Sequence, residues 1–358
     1  DNCIHMETQD VALVPAYHDG GHGKSIGYNV LAGGKLGSGG YRIATPLDIF
    51  VTEGEALEVS RAIIHIFRDH GSRENRTQAR LAFLLDEWGE SRFRQEVETR
   101  VGKTLSLAGV DARKPIEKSH VGIYRQKQPG MNYVGLKVLV GRIKQDDLAK
   151  IAALAEKYGT GEIRISPAQA LIIPNVSDRK IGDLDREPLV KQFAYNPSPI
   201  YKGLVSCVGS DYCNLAVIET KGRAVETAKA LEARLGSTLK PITMHWSGCP
   251  AACGNHLVAD IGLLGKKAKV DGKVVDAVDV YVGGRSGPDA KLAVKIMEDV
   301  PCDRLPMVLE GLVPYHTREK MHRVRGGAAK KIESANVSKA TVMAAVPDAV
   351  TGPGCSPA

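Results

Sequence analysis

Two short runs carry paired cysteines: Cys207 and Cys213 in SCVGSDYC, and Cys249 and Cys253 in GCPAACG. Four soft thiolates from one chain can hold a cubane iron–sulfur cluster or a zinc ion. Structural zinc usually takes pairs in a tighter C-x-x-C knuckle, whereas C-x5-C and C-x3-C spacing suits a larger object. Pro250 follows Cys249 and Gly254 follows Cys253. Small residues here, Ala251 and Ala252 among them, let the chain wrap tightly with backbone N–H groups aimed at sulfur. The plainer alternative is four cysteines that hold zinc or nothing. Cys3, Cys302 and Cys355 have no partner at ligand spacing and read as inert thiols.

The elements that must position these thiolates fall into three regions and a tail. In the first, IGYNVLAGGKLG reads as a strand running into a glycine turn. Thr52 and Glu55 form a capping box for a helix with Ala56, Val59, Ile63 and Phe67 on one face, stopped at Gly71. A second helix is expected from Glu74 to about Trp88, closed by Gly89. In the second region Val134, Leu136, Val138 and Val140 alternate as one face of a strand. A helix comes next, with Asp146 or Asp147 as cap and Gly159 as stop. EIRISPAQALIIP then returns as a strand ended by Pro174. The third region, beyond NPSPIYKG, holds a helix from about Ala224 to Leu235 and then the second cysteine run. Gly283-Gly284-Arg285 ends a strand as Gly33-Gly34-Lys35 does, and a helix is expected after each, so the chain carries an internal repeat. The stretch from about Lys331 lacks periodicity and reads as a loose tail.

At 358 residues, with 43% hydrophobic and 25% charged residues, the composition is that of an ordinary soluble protein of two or three domains. The formal charge of +7 suits an anionic cofactor, an acidic protein partner, nucleic acid, or simply a slightly basic solvated surface. Long Lys/Arg runs are absent and aromatics are only 5%, so a nucleic-acid groove is poorly supported. Seven cysteines, an odd number, with no export signal favour a reducing compartment over a disulfide framework. No apolar run is long enough to span a bilayer. The chain opens on Asp1 rather than Met, so a processed or partial chain is expected.

HWSGCPAACGN, with the earlier cysteine pair, resembles the signature of the assimilatory nitrite and sulfite reductases. CNLAVIETKGRA, with Glu219, Thr220 and Lys221, is similar to the stretch after their second cluster cysteine. MNYVGLKVLVGRI and EIRISPAQALIIPN resemble their ferredoxin-like half. IGYNVLAGGKLG and GSRENRTQARLAFLLDEWG resemble their first siroheme-and-cluster domain. The likeness runs from about residue 10 to 320. It implies an α+β fold with pseudo-two-fold repeats, mixed sheets flanked by helices, and a ferredoxin-like half domain. The implied divisions are 1–117, a first siroheme/4Fe-4S-type domain; 118–190, the half domain; 191–330, a second such domain with the cysteines; and 331–358, a disordered tail.

The resemblance also implies cofactors and roles. Cys207, Cys213, Cys249 and Cys253 would hold a [4Fe-4S] cluster, and Cys253, the last of the four, would bridge to siroheme iron. Siroheme has eight carboxylates, so its pocket needs cations and N–H donors. Arg73, Arg76 and Arg80 lie at spacings of three and four, one helix face, and Arg76 and Arg80 are the candidates for pairing. His245 and Trp246 are expected to pack rather than move protons. Catalytic residues are unknown: the family's anion-binding arginines and lysines, including a P-R-K-x-Asn or P-R-K-x-Lys stretch, are expected upstream of residue 1. Ala251-Ala252 and Gly254-Asn255 differ from the commonest family residues. The implied activity is reduction of nitrite to ammonia with electrons from ferredoxin, in a monomer of bacterial cytoplasm or plastid stroma that is not secreted and binds neither nucleic acid nor membrane. Sulfite reduction, or a non-enzymatic metal- or cluster-binding module, stay open as alternatives.

Overall fold

A computed structural model describes residues 2–20, 23–37, 39–115, 118–236 and 239–314. The tail from Lys331 and Cys355 lie outside the described residues. The described residues divide into two compact units: those within 1–118 and 284–292, and those within 119–283 and 293–314.

In the first unit β1 (Val11–Gly20), β2 (Gly23–Ala32), β3 (Thr45–Val51) and β4 (Val110–Asp111) form a sheet of order β3-β2-β1-β4. Two helices, α1 (Glu53–His70) and α2 (Leu81–Val101), cover it. Val59, Ala62, Ile63 and Ile66 of α1 recur at helical spacing and pack with Ile49 and Val51 of β3 and Phe93 and Val97 of α2. The capping box forms: the Thr52 N–H donates to Glu55 Oε2 at 2.9 Å. Gly71 ends α1 with its N–H on Phe67 O at 2.9 Å.

The second helix differs from expectation. It starts at Leu81, not Glu74, and runs through Gly89, where φ is 76° and the helix kinks. Glycine permits that φ and the helix resumes beyond it. Residues 71–80 therefore form a connection, and Arg73, Arg76 and Arg80 do not share a helix face.

The second unit opens with a four-stranded antiparallel sheet, order β5-β6-β8-β7, from β5 (Gly122–Arg125), β6 (Met131–Lys137), β7 (Arg164–Ser166) and β8 (Ala170–Ser177). Helix α3 (Gln145–Tyr158) buries Ile151, Leu154 and Ala155 against Val134, Leu136 and Ile173. Four expectations shift here. EIRISPAQALIIP is not one strand but two, β7 and β8, joined by a turn at residues 167–169. Val140 leaves the strand face: it sits in a tight turn at φ 50° and packs into the neighbouring core beside Leu204 and Ile218. Lys144 is the cap of α3, and both Asp146 and Asp147 lie in its first turn, where carboxylates favour the helix dipole. Pro174 does not end a strand. It sits within β8 where the pairing with β6 slips between Asn132 and Val134, a bulge that needs no N–H from it.

Three short helices come next, α4 (Asp178–Asp185), α5 (Pro188–Gln192) and α6 (Pro199–Lys202). They lead into a five-stranded sheet of order β13-β12-β11-β10-β9. Its strands are β9 (Leu204–Ser206), β10 (Met244–Ser247), β11 (Ile261–Val270), β12 (Lys273–Val282) and β13 (Val294–Pro301), with α7 (Lys221–Leu235) packed on it.

The internal repeat is structural. The β1–β2 hairpin and the β11–β12 hairpin have the same length and register, Val11 opposite Ala32 and Ile261 opposite Val282. Each is preceded by a 3-10 turn, Met6–Thr8 or His256–Val258. Each ends on a glycine of positive φ, Gly33 at 74° or Gly283 at 79°. The N–H of that glycine donates to Asp10 O at 2.8 Å or Asp260 O at 2.9 Å. Beyond each glycine pair the chain forms a strand first, β3 or β13, and only then a helix, α1 or the segment 305–314.

This architecture can be tested at a helix cap and at two buried histidines. Thr52→Ala removes the α1 cap and should cost about 1 kcal/mol, read as a lower urea midpoint of Trp88 fluorescence in the first unit; an unmoved midpoint would contradict the cap. Burial pushes His5 and His256 from 6.5 down to about 4. The unfolded chain takes up those protons first, so this stability is full above about pH 6.5 and is lost as pH falls toward 4. Each histidine accounts for roughly 3 kcal/mol at most. Urea midpoints that stay level between pH 7 and 5 would sink this account.

Candidate metal centre

β9 and β10 are adjacent and parallel, with Leu204, Val205 and Ser206 opposite Met244, His245 and Trp246. Parallel neighbours deliver their C-terminal ends to the same side of a sheet. Cys207 follows β9 directly, and Cys249 comes two residues after β10. The Cys207 N–H extends the ladder by donating to Trp246 O at 3.0 Å. Leu204, Met244 and Trp246 are fully buried beneath, so the strand ends are held by core packing.

The two loops are tied to each other and to their own strands. Cys213 N–H donates to Gly209 O at 3.1 Å, and Val217 N–H crosses to Gly248 O at 2.8 Å. Gly209 has φ +70°, and a side chain there would strike Thr220 Oγ1 at 2.6 Å. In the second loop Ala252 N–H returns to Cys249 O at 3.1 Å, with Ala252 itself at φ 60°. Gly254 N–H donates to Ser247 Oγ at 3.1 Å, and the His256 ring holds the same hydroxyl at 3.0 Å. A Cβ at Gly254 would lie 2.0 Å from Trp246 O, so the chain between Cys253 and the repeat hairpin passes through a space only glycine fits.

The sulfur chemistry agrees with this framing. Gly248 N–H donates to Cys207 Sγ at 3.1 Å. Thr220 Oγ1 donates to Cys207 O at 2.9 Å and lies 3.7 Å from its sulfur. Partial burial, and then the charges of Cys207, Cys249 and Cys213, push the Cys253 thiol up. Cys253 is the most exposed of the four. Among the described residues no three Cys, His, Asp or Glu side chains converge closely enough to hold a single metal ion. Four soft thiols, one of them receiving a backbone N–H, are a donor set of the kind an iron–sulfur cluster takes.

The remaining expected residues separate. Trp246 and His245 are buried, and His245 Nδ1 lies 3.2 Å from Asn255 O, so both pack beneath the second loop. Arg73 caps the end of α1, donating to Gly71 O at 2.8 Å and Phe67 O at 3.2 Å. Arg80 is paired with Asp10 through two bonds of 3.0 and 2.8 Å. Arg76 is exposed and makes no hydrogen bond or ion pair among the described residues.

Several features of the site were missed by sequence reasoning. Val208, Tyr212, Leu215 and Val217 are exposed around the first cysteine pair, Tyr212 at 81%. Apolar residues without periodicity, Val208 and Tyr212 between the two thiols and Leu215 and Val217 just after them, were the available signal. Lys221 is buried, with its Nζ on Val140 O; burial, then Arg142, lowers its pKa. Lys137 is buried too, and burial alone lowers it to about 7.

Residues 1–105 match the nitrite and sulphite reductase 4Fe-4S domain, and residues 124–190 match the nitrite/sulfite reductase ferredoxin-like half domain. The chain is 44% identical over 314 residues to ferredoxin–nitrite reductase of Synechococcus elongatus, covering 87% of this chain and 60% of that protein. It is 41% identical over 318 residues to the chloroplastic ferredoxin–nitrite reductase of Zea mays, covering 86% and 55%. The solved structure of Mycobacterium tuberculosis NirA protein superposes with a TM-score of 0.81 at 30% identity, over 90% of this chain and 61% of that one. The chain thus spans somewhat over half the length of the curated relatives it matches. With an α+β fold of mixed sheets and flanking helices, a 4Fe-4S domain and a ferredoxin-like half domain, the chain belongs to the nitrite/sulfite reductase family.

Proposed function

We propose that the protein reduces nitrite to ammonia with electrons from ferredoxin. The observation that carries this is the delivery of both cysteine pairs to one end of the parallel β9–β10 pair. The names of the relatives support the substrate and the donor. Sulfite stays in view, because the matching family model covers reductases of both anions.

On this reading Cys207, Cys213, Cys249 and Cys253 would hold a [4Fe-4S] cluster, and Cys253 would also help to hold siroheme. Bound there, these groups supply a one-electron relay and an iron for the six-electron reduction. The Gly248 N–H stabilises negative charge on the Cys207 sulfur. Arg76, the one cation of its trio without a protein partner among the described residues, is left to pair with siroheme carboxylates; Arg80 is held by Asp10. The division into residues 1–117, 118–190, 191–330 and 331–358 remains our proposal for the domains. An acidic carrier suits the charge of +7, and exposed charges would steer it. Among the described residues no helix is long and apolar enough to cross a membrane. A stromal or cytoplasmic location accords with the chloroplastic and bacterial relatives, and a monomer is part of the proposal.

Iron, acid-labile sulfide and the siroheme absorption of the full-length protein test the cofactors. Turnover of nitrite and of sulfite with reduced ferredoxin tests the substrate. Cys207→Ser should lose the cluster, and Cys253→Ser both cluster coupling and most siroheme. Stoichiometric zinc without sulfide would end the reading, and faster turnover of sulfite than of nitrite would reassign the substrate. Two finer variants read the surroundings. Gly254→Ala should lower cluster content, because the added Cβ collides with Trp246 O. Arg76→Ala should weaken siroheme retention on the order of tenfold, the worth of a charge-assisted bond, whereas equal retention would remove Arg76 from the pocket.

A further inference from the structure

β9 is an edge strand, and edges leave backbone groups unpaired. Its inner edge is satisfied by β10. On its outer edge Ser206, only 1% exposed, has an N–H and a C=O with no strand beside them among the described residues. Both are met by one side chain. Gln169 Nε2 donates to Ser206 O at 2.6 Å, and Ser206 N–H donates to Gln169 Oε1 at 3.2 Å. The primary amide reproduces the paired bonds of a neighbouring strand, one residue before Cys207.

Gln169 is itself fixed. It lies in the turn between β7 and β8, where its N–H returns to Ser166 O at 3.0 Å and its carbonyl accepts from Val138 N–H at 3.0 Å. Its φ of 57° is unusual for a side chain with a Cβ. Gly141 makes room for it: a Cβ there would meet Gln169 Nε2 at 3.2 Å. The preceding residue is anchored as well, since Lys137 Nζ bridges Ala168 O at 2.7 Å and Leu204 O at 2.8 Å. The ferredoxin-like half thus grips the strand that carries the first thiol.

We propose that Gln169 is a positioning residue for the cluster site: its amide sets the backbone of Ser206 and hence the direction of the Cys207 thiolate. The half domain thereby controls how firmly the cluster is held and the shape of its electronic environment. Backbone amide and sulfur geometry around a cluster tune its stability and potential, so a loosened strand has effects that plain unfolding does not. This inference rests on the cluster reading proposed above.

The test uses full-length holoprotein. Gln169→Ala leaves two buried backbone groups unmet beside Cys207. It should speed cluster loss to a chelator roughly tenfold or more and alter the electron paramagnetic resonance of the reduced cluster, with native Trp246 fluorescence. Gln169→Glu, which keeps one acceptor, should fall between. Gln192→Ala is the control, because that amide holds Asp147 of α3 at 3.0 Å and makes no bond to β9 among the described residues. Wild-type spectra and loss rate in Gln169→Ala overturn the proposal, whatever its melting temperature. If Gln169→Ala does not fold, Gly141→Ala decides, since its Cβ crowds the same amide: altered resonance supports the proposal and an unchanged signal refutes it. A wild-type protein without a cluster would fail at the earlier reading, and the proposal would fall with it.

Discussion

The parallel pairing of β9 with β10 is the constraint on which the rest of the site depends. The two cysteine pairs are far apart in sequence, and nothing local can bring Cys207 near Cys249. The Cys207 N–H on Trp246 O does so, as the last rung of a ladder whose strands are locked by the buried Leu204, Met244 and Trp246. Helix α7 makes this possible. A parallel connection needs a crossover, and α7 supplies it while burying Ala224, Ala228 and Leu231 in the same core. The loops leaving those ends then have no freedom to diverge, because Val217 N–H and Gly248 O join them.

The repeat shows what this pairing adds. Both units build the same hairpin, with the same register, the same glycine turn and the same backbone bond to an aspartate carbonyl. They differ beside the first strand of each hairpin. In the first unit β1 is flanked by the two-residue antiparallel β4; in the second β11 is flanked by β10 and then β9, both parallel to it or to each other. Cys3 stands three residues before the first 3-10 turn, as Cys253 stands before the second. Without the parallel strands it has no companion thiols at ligand spacing. One scaffold has thus been given a donor set by adding two short strands on one side.

Much of this could be seen in the sequence, and the reasons it could are physical. Cysteine spacing, the Thr52–Glu55 capping box and the Val59–Ile63 stripe are local signals read over a few residues. The glycine pairs at Gly33 and Gly283 marked the repeat because a positive φ at a strand end demands glycine. The errors came where tertiary structure overrode local pattern. Arg73, Arg76 and Arg80 have helical spacing, but Arg73 is drawn to the carbonyls ending α1 and Arg80 to Asp10, and the stretch stays irregular, with a turn at residues 76–78, until Leu81. Pro174 looked like a strand end because the bulge that tolerates it exists only in the pairing with β6. Val140 alternated correctly with Val138, yet the turn at Gly141 redirects it to a different core.

Least legible were the polar groups buried between the half domain and β9, and they explain why the half domain folds into the same unit as the cysteines. A lysine or glutamine in sequence announces a solvated surface. Lys137 is instead enclosed, with its ammonium satisfied by carbonyls of Ala168 and Leu204, and Lys221 donates to Val140 O from the other side. Buried donors of this kind are costly unless every partner is present. Their partners are backbone atoms of specific turns, so they hold only one arrangement of β6, the β7–β8 turn and β9. A purely apolar contact would tolerate sliding by a fraction of a residue. Directional bonds do not, and a site built on the end of a three-residue edge strand needs that rigidity more than it needs additional buried surface.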